Sequence, residues 1–184
     1  MLIPTAEESL LLQCLSTTAL LGELSNNNFF NSEYFKQLPF SNEDFKKILV
    51  DSGLGNPATM LMMLYALLIV PKERLSGPDY DMFEDYVKSK IYPTIIDLAE
   101  KETYSTYAGE ESLSKINYFR HLRNAVAHAK CYYFSENQKR YVIFSDSNNN
   151  TKECSIKLEC CNVGLILMEL QKCIMEYYNT KHNC

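Results

Sequence analysis

The sequence predicts a mainly α protein: an antiparallel helical bundle with a small β-hairpin or sheet inserted before the C-terminal helix. Three observations carry that prediction. Apolar residues recur at helical spacing in stretches that open on capping residues and cover most of the chain. Between Cys131 and Leu158 the period changes, and short β-branched or aromatic runs alternate with polar turns. A chain of 184 residues with 46% apolar content can bury a core of its own. The expected organisation is one domain over residues 1–184. It comprises an N-terminal helical extension (1–55), a core bundle (56–178) and a tail (179–184) expected to fray.

The elements follow in order. Thr5-Ala6-Glu7-Glu8 is a capping box, since Thr5 can cap the first turn and Glu8 can reach back. Leu11, Leu12, Leu15, Ala19 and Leu20 then form the apolar stripe of a first helix, which Asn26-Asn27-Asn28 breaks. A short helix follows Ser41, with Asp44 three residues on, and stops at Asp51-Ser52-Gly53. Asn56-Pro57 opens a helix that is apolar nearly all round, from Ala58 to Val70, bounded by Pro71 and central to the bundle. Asp79 starts an amphipathic stretch to about Glu102 that Pro93 should kink or divide. Residues 111–130 read as the fourth major helix, with Leu113, Ile116, Phe119, Leu122 and Val126 turned inward. Cys131–Phe134, Arg140–Phe144 and Ser155–Leu158 read as strands, separated by turns at 135–138 and 146–151. The last helix should run from about Asn162 to Tyr178, with Leu165, Leu167, Met168, Leu170, Ile174 and Tyr177 on or near its buried side.

Composition excludes several function classes. No apolar run reaches the roughly 18 residues of a membrane span. The N-terminus carries Glu7 and Glu8 and no early Lys or Arg, which does not suit a signal peptide, so a soluble cytoplasmic protein is expected. Seven cysteines without a C-x-x-C spacing read as reduced thiols that mostly fill the core. A zinc site from His128, Cys131, Cys154 and Cys160 lacks a knuckle spacing, and no metal or cofactor is expected. The chain has a net charge of −5. Residues 115–140, however, hold Lys115, Arg120, Arg123, Lys130, Lys139 and Arg140 against Glu136 alone. An acidic protein is a poor general polyanion binder, so this segment reads either as a localised anion site or as a solvated basic helix face.

The chemistry-bearing residues fall in one string, Arg120-His121-Leu122-Arg123-Asn124-Ala125-Val126-Ala127-His128. Seven positions is about two helical turns, so His121 and His128 share a face and Asn124 lies one turn from His128. Read without further context, Arg123 and His128 could equally cap a helix C-terminus.

Arg123-Asn124-x-x-x-His128 resembles the R-x4–6-H motif of the HEPN superfamily, including the Asn that often follows the Arg. In a chain of this composition that form arises by chance about 0.02 times. The Leu-Arg-Asn-Ala-x-Ala-His string lies late in an α-bundle of the right size, and the resemblance covers about Ala58–Tyr178. It implies a metal-independent endoribonuclease working as a homodimer, with RNA or a nucleotide in the dimer groove. Such domains often act as toxins or in defence, which implies a possible antitoxin partner and no membrane. Carried onto this chain, the motif makes His128 the general acid/base, Arg123 the stabiliser of the anionic phosphorane, and Asn124 an orienting group. Arg120, His121, Lys130, Lys139 and Arg140 are then candidate RNA contacts, with solvated surface charge as the alternative. His121 lies outside the motif and reads first as a surface polar residue, and His182 as an inert tail residue. Tyr118, Tyr132 and Tyr133 could stack on bases or cover the core. The alternative function is a HEPN module that binds nucleotide, RNA or protein, or dimerises, without catalysis.

Overall fold

The computed structural model describes residues 5–75, 77–148 and 151–182. Among the described residues eight α-helices accompany a four-stranded antiparallel sheet, on which α7 and α8 pack, so the mainly α prediction holds. Helix α1 (Ala6–Asn26) opens on the expected capping box: Glu8 N–H donates to Thr5 Oγ1, and Thr5 N–H donates to Glu8 Oε2 at 2.9 Å. Its inner face is Glu8, Leu15 and Thr18, while Leu20 of the predicted stripe is exposed. Helices α2 (Glu33–Gln37) and α3 (Glu43–Ser52) follow, α3 capped by Asn42 and ended at Gly53, whose φ of +70° suits glycine.

Asn56 caps α4 (Pro57–Leu64) as expected. Pro71 does not end the central helix. The chain passes through a π turn, Tyr65–Ile69, where Val70 N–H donates to Tyr65 C=O, and continues as α5 (Val70–Arg74). The wider turn re-registers the backbone just before the residue that cannot donate. Leu67, Leu68 and Ile69, all buried, hold this segment in the core.

Pro93 does not divide α6 (Gly77–Leu98). Ile91 and Ile95 on either side of it are fully buried, and packing of that face against the last helix holds the helix together across the missing N–H. The predicted helix at 111–130 is much shorter. A 3-10 turn at Leu113–Lys115 leaves Leu113 exposed, and α7 (Tyr118–Ala127) starts where the Asn117 side chain accepts from Arg120 N–H.

Strands β2 (Cys131–Glu136), β3 (Lys139–Asn148) and β4 (Lys152–Glu159) form the predicted sheet, with longer strands and tighter turns than expected. Asn137 and Gln138 both have positive φ, the geometry of a two-residue hairpin turn. The sequence reading missed β1 (Tyr104–Ser105), which pairs with β4 and gives the order β1-β4-β3-β2. Val142, Phe144, Cys154, Ile156 and Leu158 alternate inward, and α7 packs on β3.

Helix α8 (Cys160–His182) follows β4 directly and is longer than predicted. Leu165 and Met168 are exposed rather than inward, because Val163, Ile166, Leu167, Leu170 and Ile174 define the buried face. The tail is helical through His182, and Asn183–Cys184 lie outside the described residues. Among the described residues no single helix is long and apolar enough to cross a membrane.

Candidate functional site

Helix α7 has an amphipathic sequence on which almost every side chain has a fixed destination. Phe119, Leu122, Ala125 and Val126 enter the core. The helix ends in a Schellman arrangement: Ala129 N–H donates to Val126 C=O at 3.1 Å, and Lys130 N–H donates to Ala125 C=O at 2.8 Å. Ala129 takes the left-handed conformation there, with φ of 50°, a position usually given to glycine. This turn leaves His128 exposed at the helix end and starts β2 three residues later.

An open cleft of about 590 Å³ lies beside that end, lined by Arg120, Asn124, His128, Lys130 and Asp146, with Tyr107 at its wall. Lys130 donates to Ser147 Oγ at 3.0 Å and, among the described residues, has no carboxylate within ion-pair distance. The Arg120 guanidinium lies over the Tyr107 ring, 4.9 Å from its centroid. The mouth of the cleft is therefore cationic and its floor carries one carboxylate.

His121 is not a surface residue. It is 1% exposed and sits between two acids. Its Nδ1 lies 2.7 Å from Asp146 Oδ2, and its Nε2 lies 2.8 Å from Glu110 Oε2. Glu110 also accepts from Ser105 Oγ at 2.6 Å and from Arg120 Nη2 at 3.1 Å. Burial by itself would raise the Glu110 carboxyl, but the bonds from Ser105 and His121 outweigh it and hold Glu110 below the ordinary value. Asp146 accepts from Asn124 Nδ2 at 3.0 Å on the same oxygen that faces His121.

Arg123 turns the other way. Its guanidinium donates to the Tyr80 hydroxyl and to Glu84 Oε2, the latter at 3.2 Å, and so fastens α7 to α6. Burial pushes the Tyr80 phenol well up, with Glu84 adding to the rise. Burial also acts to raise Glu84, but Lys88, Tyr80 and Arg123 bring it below its ordinary value. Within one chain, the two charged residues of the sequence motif thus meet different surroundings.

The other candidates divide by distance. Arg120, Asn124, His128 and Lys130 share the cleft, and His121 supports its floor. Lys139 and Arg140 lie at the opposite end of β3, roughly 20–24 Å from Asp146 at ~3.4 Å per strand residue. Lys139 pairs with Glu159 at 2.8 Å, and Arg140 edges an apolar cavity of about 540 Å³ bordered by α1, α4 and α8. Tyr118 is fully buried, Tyr133 donates to Pro57 C=O, and Tyr132 is exposed. His182 is not inert: its Nε2 lies 3.0 Å from Glu8 Oε1.

Sequence reasoning missed Tyr107, Glu110 and Asp146 in the site, and Tyr80 and Glu84 as partners of Arg123. None stands at a fixed spacing from the motif; each arrives from another element. Glu110, His121 and Cys154 place donor atoms within 4.8 Å of one another, a set that could hold a metal ion. Arg120 already supplies positive charge to both Glu110 and His121, and burial pushes the Cys154 thiol up to about 12, which favours its neutral form.

No curated protein and no solved structure matches the chain. A family model does match: the HEPN pEK499 p136 model aligns with residues 6–181. The match takes in α1 to α3, which the motif resemblance left unaccounted for, and ends within α8. The chain belongs to the HEPN pEK499 p136 family, a HEPN-type domain found in mobile elements.

Proposed function

We propose that this HEPN protein is a metal-independent endoribonuclease that acts as a homodimer, in the setting of a toxin or defence protein held in check by a partner. The observation that carries the reading is the exposed His128 at the edge of an open cleft that also holds Arg120, Lys130 and Asn124. Cleaving RNA in this way requires a group that accepts the 2′-hydroxyl proton and a group that protonates the departing 5′-oxygen. The 2′-oxygen forms a new bond to phosphorus as the bond to the 5′-oxygen breaks, leaving a 2′,3′-cyclic phosphate and a 5′-hydroxyl. Histidine exchanges protons at cellular pH, and guanidinium and ammonium groups stabilise the crowded phosphorane dianion. One chain has one His128, whereas two chains facing across a groove offer two, one for each proton transfer.

A second reading has its own observation. The Arg123 guanidinium is held by Glu84 and Tyr80, which favours a HEPN module that binds nucleotide or RNA without cutting it. Incubating the protein with a fluorescent RNA in EDTA, beside His128→Ala, separates the two. Cleavage by the wild type alone, with 2′,3′-cyclic phosphate ends, supports the nuclease. Binding without cleavage by a folded dimer supports the second reading. Cleavage that persists in His128→Ala places the chemistry elsewhere.

A further inference from the structure

We infer that Asp146 is a positioning residue. Seated on the buried His121–Glu110 pair, it clamps the Asn124 amide so that the Asn124 carbonyl oxygen is the acceptor offered to a ribose 2′-hydroxyl in the cleft. The inference rests on the RNA-directed reading of this cleft, though not on cleavage.

An ionised carboxylate only accepts hydrogen bonds, whereas a side-chain amide has one donating and one accepting end. Asp146 Oδ2 lies 3.0 Å from Asn124 Nδ2, so the donating end of Asn124 is turned to Asp146 and one of its two N–H groups is taken. Flipping the amide would set a carbonyl oxygen against a carboxylate oxygen, two acceptors with no proton between them. The orientation of Asn124 is therefore dictated by Asp146, and Oδ1 is the end left for a ligand.

That dictation is only as firm as the seat of Asp146, and the seat is rigid. The same Oδ2 lies 2.7 Å from His121 Nδ1, and the His121 ring, 1% exposed, is fixed at its other nitrogen by Glu110 at 2.8 Å. Glu110 is in turn fastened by Ser105 and Arg120. A chain of buried hydrogen bonds thus ends at one partly buried amide in a cleft that Arg120 and Lys130 also line. Those cations suit phosphates but cannot tell RNA from DNA, because the backbone charge is the same. A fixed neutral acceptor can, since the 2′-hydroxyl is the donor that DNA lacks.

The test is binding in a His128→Ala background, so that cleavage does not intrude. Fluorescence anisotropy is read with a single-stranded RNA and the DNA of the same sequence. The background protein binds RNA more tightly than DNA, by about 2- to 10-fold, the span of one net hydrogen bond. Adding Asp146→Ala, which removes the oxygen that fixes the Asn124 amide and so lets it turn, brings the ratio close to one. Asn124→Ala, which leaves the buried pair untouched, does the same, and the double variant goes no further. Thermal melts confirm that each variant is folded. A ratio near one in the background protein overturns the inference, and so does a ratio that survives either substitution. If the ratio behaves as expected while the wild type cuts no RNA, the nuclease reading fails and the positioning role stands.

Discussion

Arg123 and His128 stand five positions apart, about 140° around a helix, so α7 sends them to different neighbours. Arg123 meets Tyr80 and Glu84 on α6, and His128 meets solvent at the cleft. The same residue can serve a motif and a fold, and the energies differ enough to tell the roles apart. Removing a guanidinium that bonds a partly buried carboxylate and a buried phenol costs about 1.5–3 kcal/mol. At roughly 2–4 °C per kcal/mol for a chain of this size, Arg123→Ala should melt about 3–12 °C lower than the wild type. His128→Ala removes an exposed side chain and should stay within about 0.5 kcal/mol of it. Differential scanning fluorimetry decides the matter: an unchanged midpoint for Arg123→Ala would mean that the Glu84 contact adds nothing to stability. His121 makes the complementary point. Its position in sequence gave no sign of burial, because the two carboxylates that bury it come from the loop before α7 and from β3.

At the scale of elements, α7 carries Arg120, His121, Arg123 and Asn124 and ends at His128, and its start is set by Asn117. The Asn117 Oδ1 accepts from Arg120 N–H at 3.2 Å and from the half-buried Tyr92 hydroxyl at 2.6 Å. Asn117→Ala removes a cap and strands that hydroxyl, a combined cost of about 2 kcal/mol. Asn117→Asp keeps both acceptors and should recover most of the loss, which chemical denaturation of the three proteins would show. A loss that Asp does not recover would mean the cap is not what fixes the helix start. Caps of this kind are what made the fold legible. Thr5 with Glu8, and Asn56 with Pro57, mark helix starts that the structure keeps. What was not legible came from competition at longer range. The periodicity of residues 111–130 continues through Leu113, but the Asn117 cap and the Glu110 anchor hold the preceding segment out of the helix. Pro71 read as a stop and Pro93 as a kink or break, yet the helix runs on past both, and burial of Ile69, Ile91 and Ile95 outweighs the missing donors. The candidate site followed the same rule: its residues on α7 and the turn that ends it were readable, and the acids that reach it from other elements were not.

Across the whole molecule, the first and last helices are clasped by charge. Glu8, on α1 and only 7% exposed at its side chain, lies 3.2 Å from Lys181 and 3.0 Å from His182 at the end of α8. Lys181 also reaches Asp79 on α6, at 3.1 Å, so one cation joins three helices. The family match spans both ends of this clasp, from residue 6 to residue 181, which fits a domain whose first helix is held as part of the fold. Burial alone would raise the Glu8 carboxyl, but the Thr5 N–H, Lys181 and His182 outweigh it and hold it below 4.5. A carboxylate whose folded value is depressed stabilises the fold fully above its unfolded value, and that contribution is lost as pH falls through the folded one. Stability should therefore hold on the neutral side and decline as pH drops below about 4.5, with Glu84 and Glu110 declining in the same direction. Glu8→Gln cannot titrate: it should be less stable than the wild type at pH 7, lose less on acidification, and converge with it in acid. Urea denaturation at a series of pH values from 7 down to about 3 tests this. Two curves that stay parallel to the lowest pH would show that the clasp contributes no charge-dependent stability, and that α1 is held by its apolar face alone.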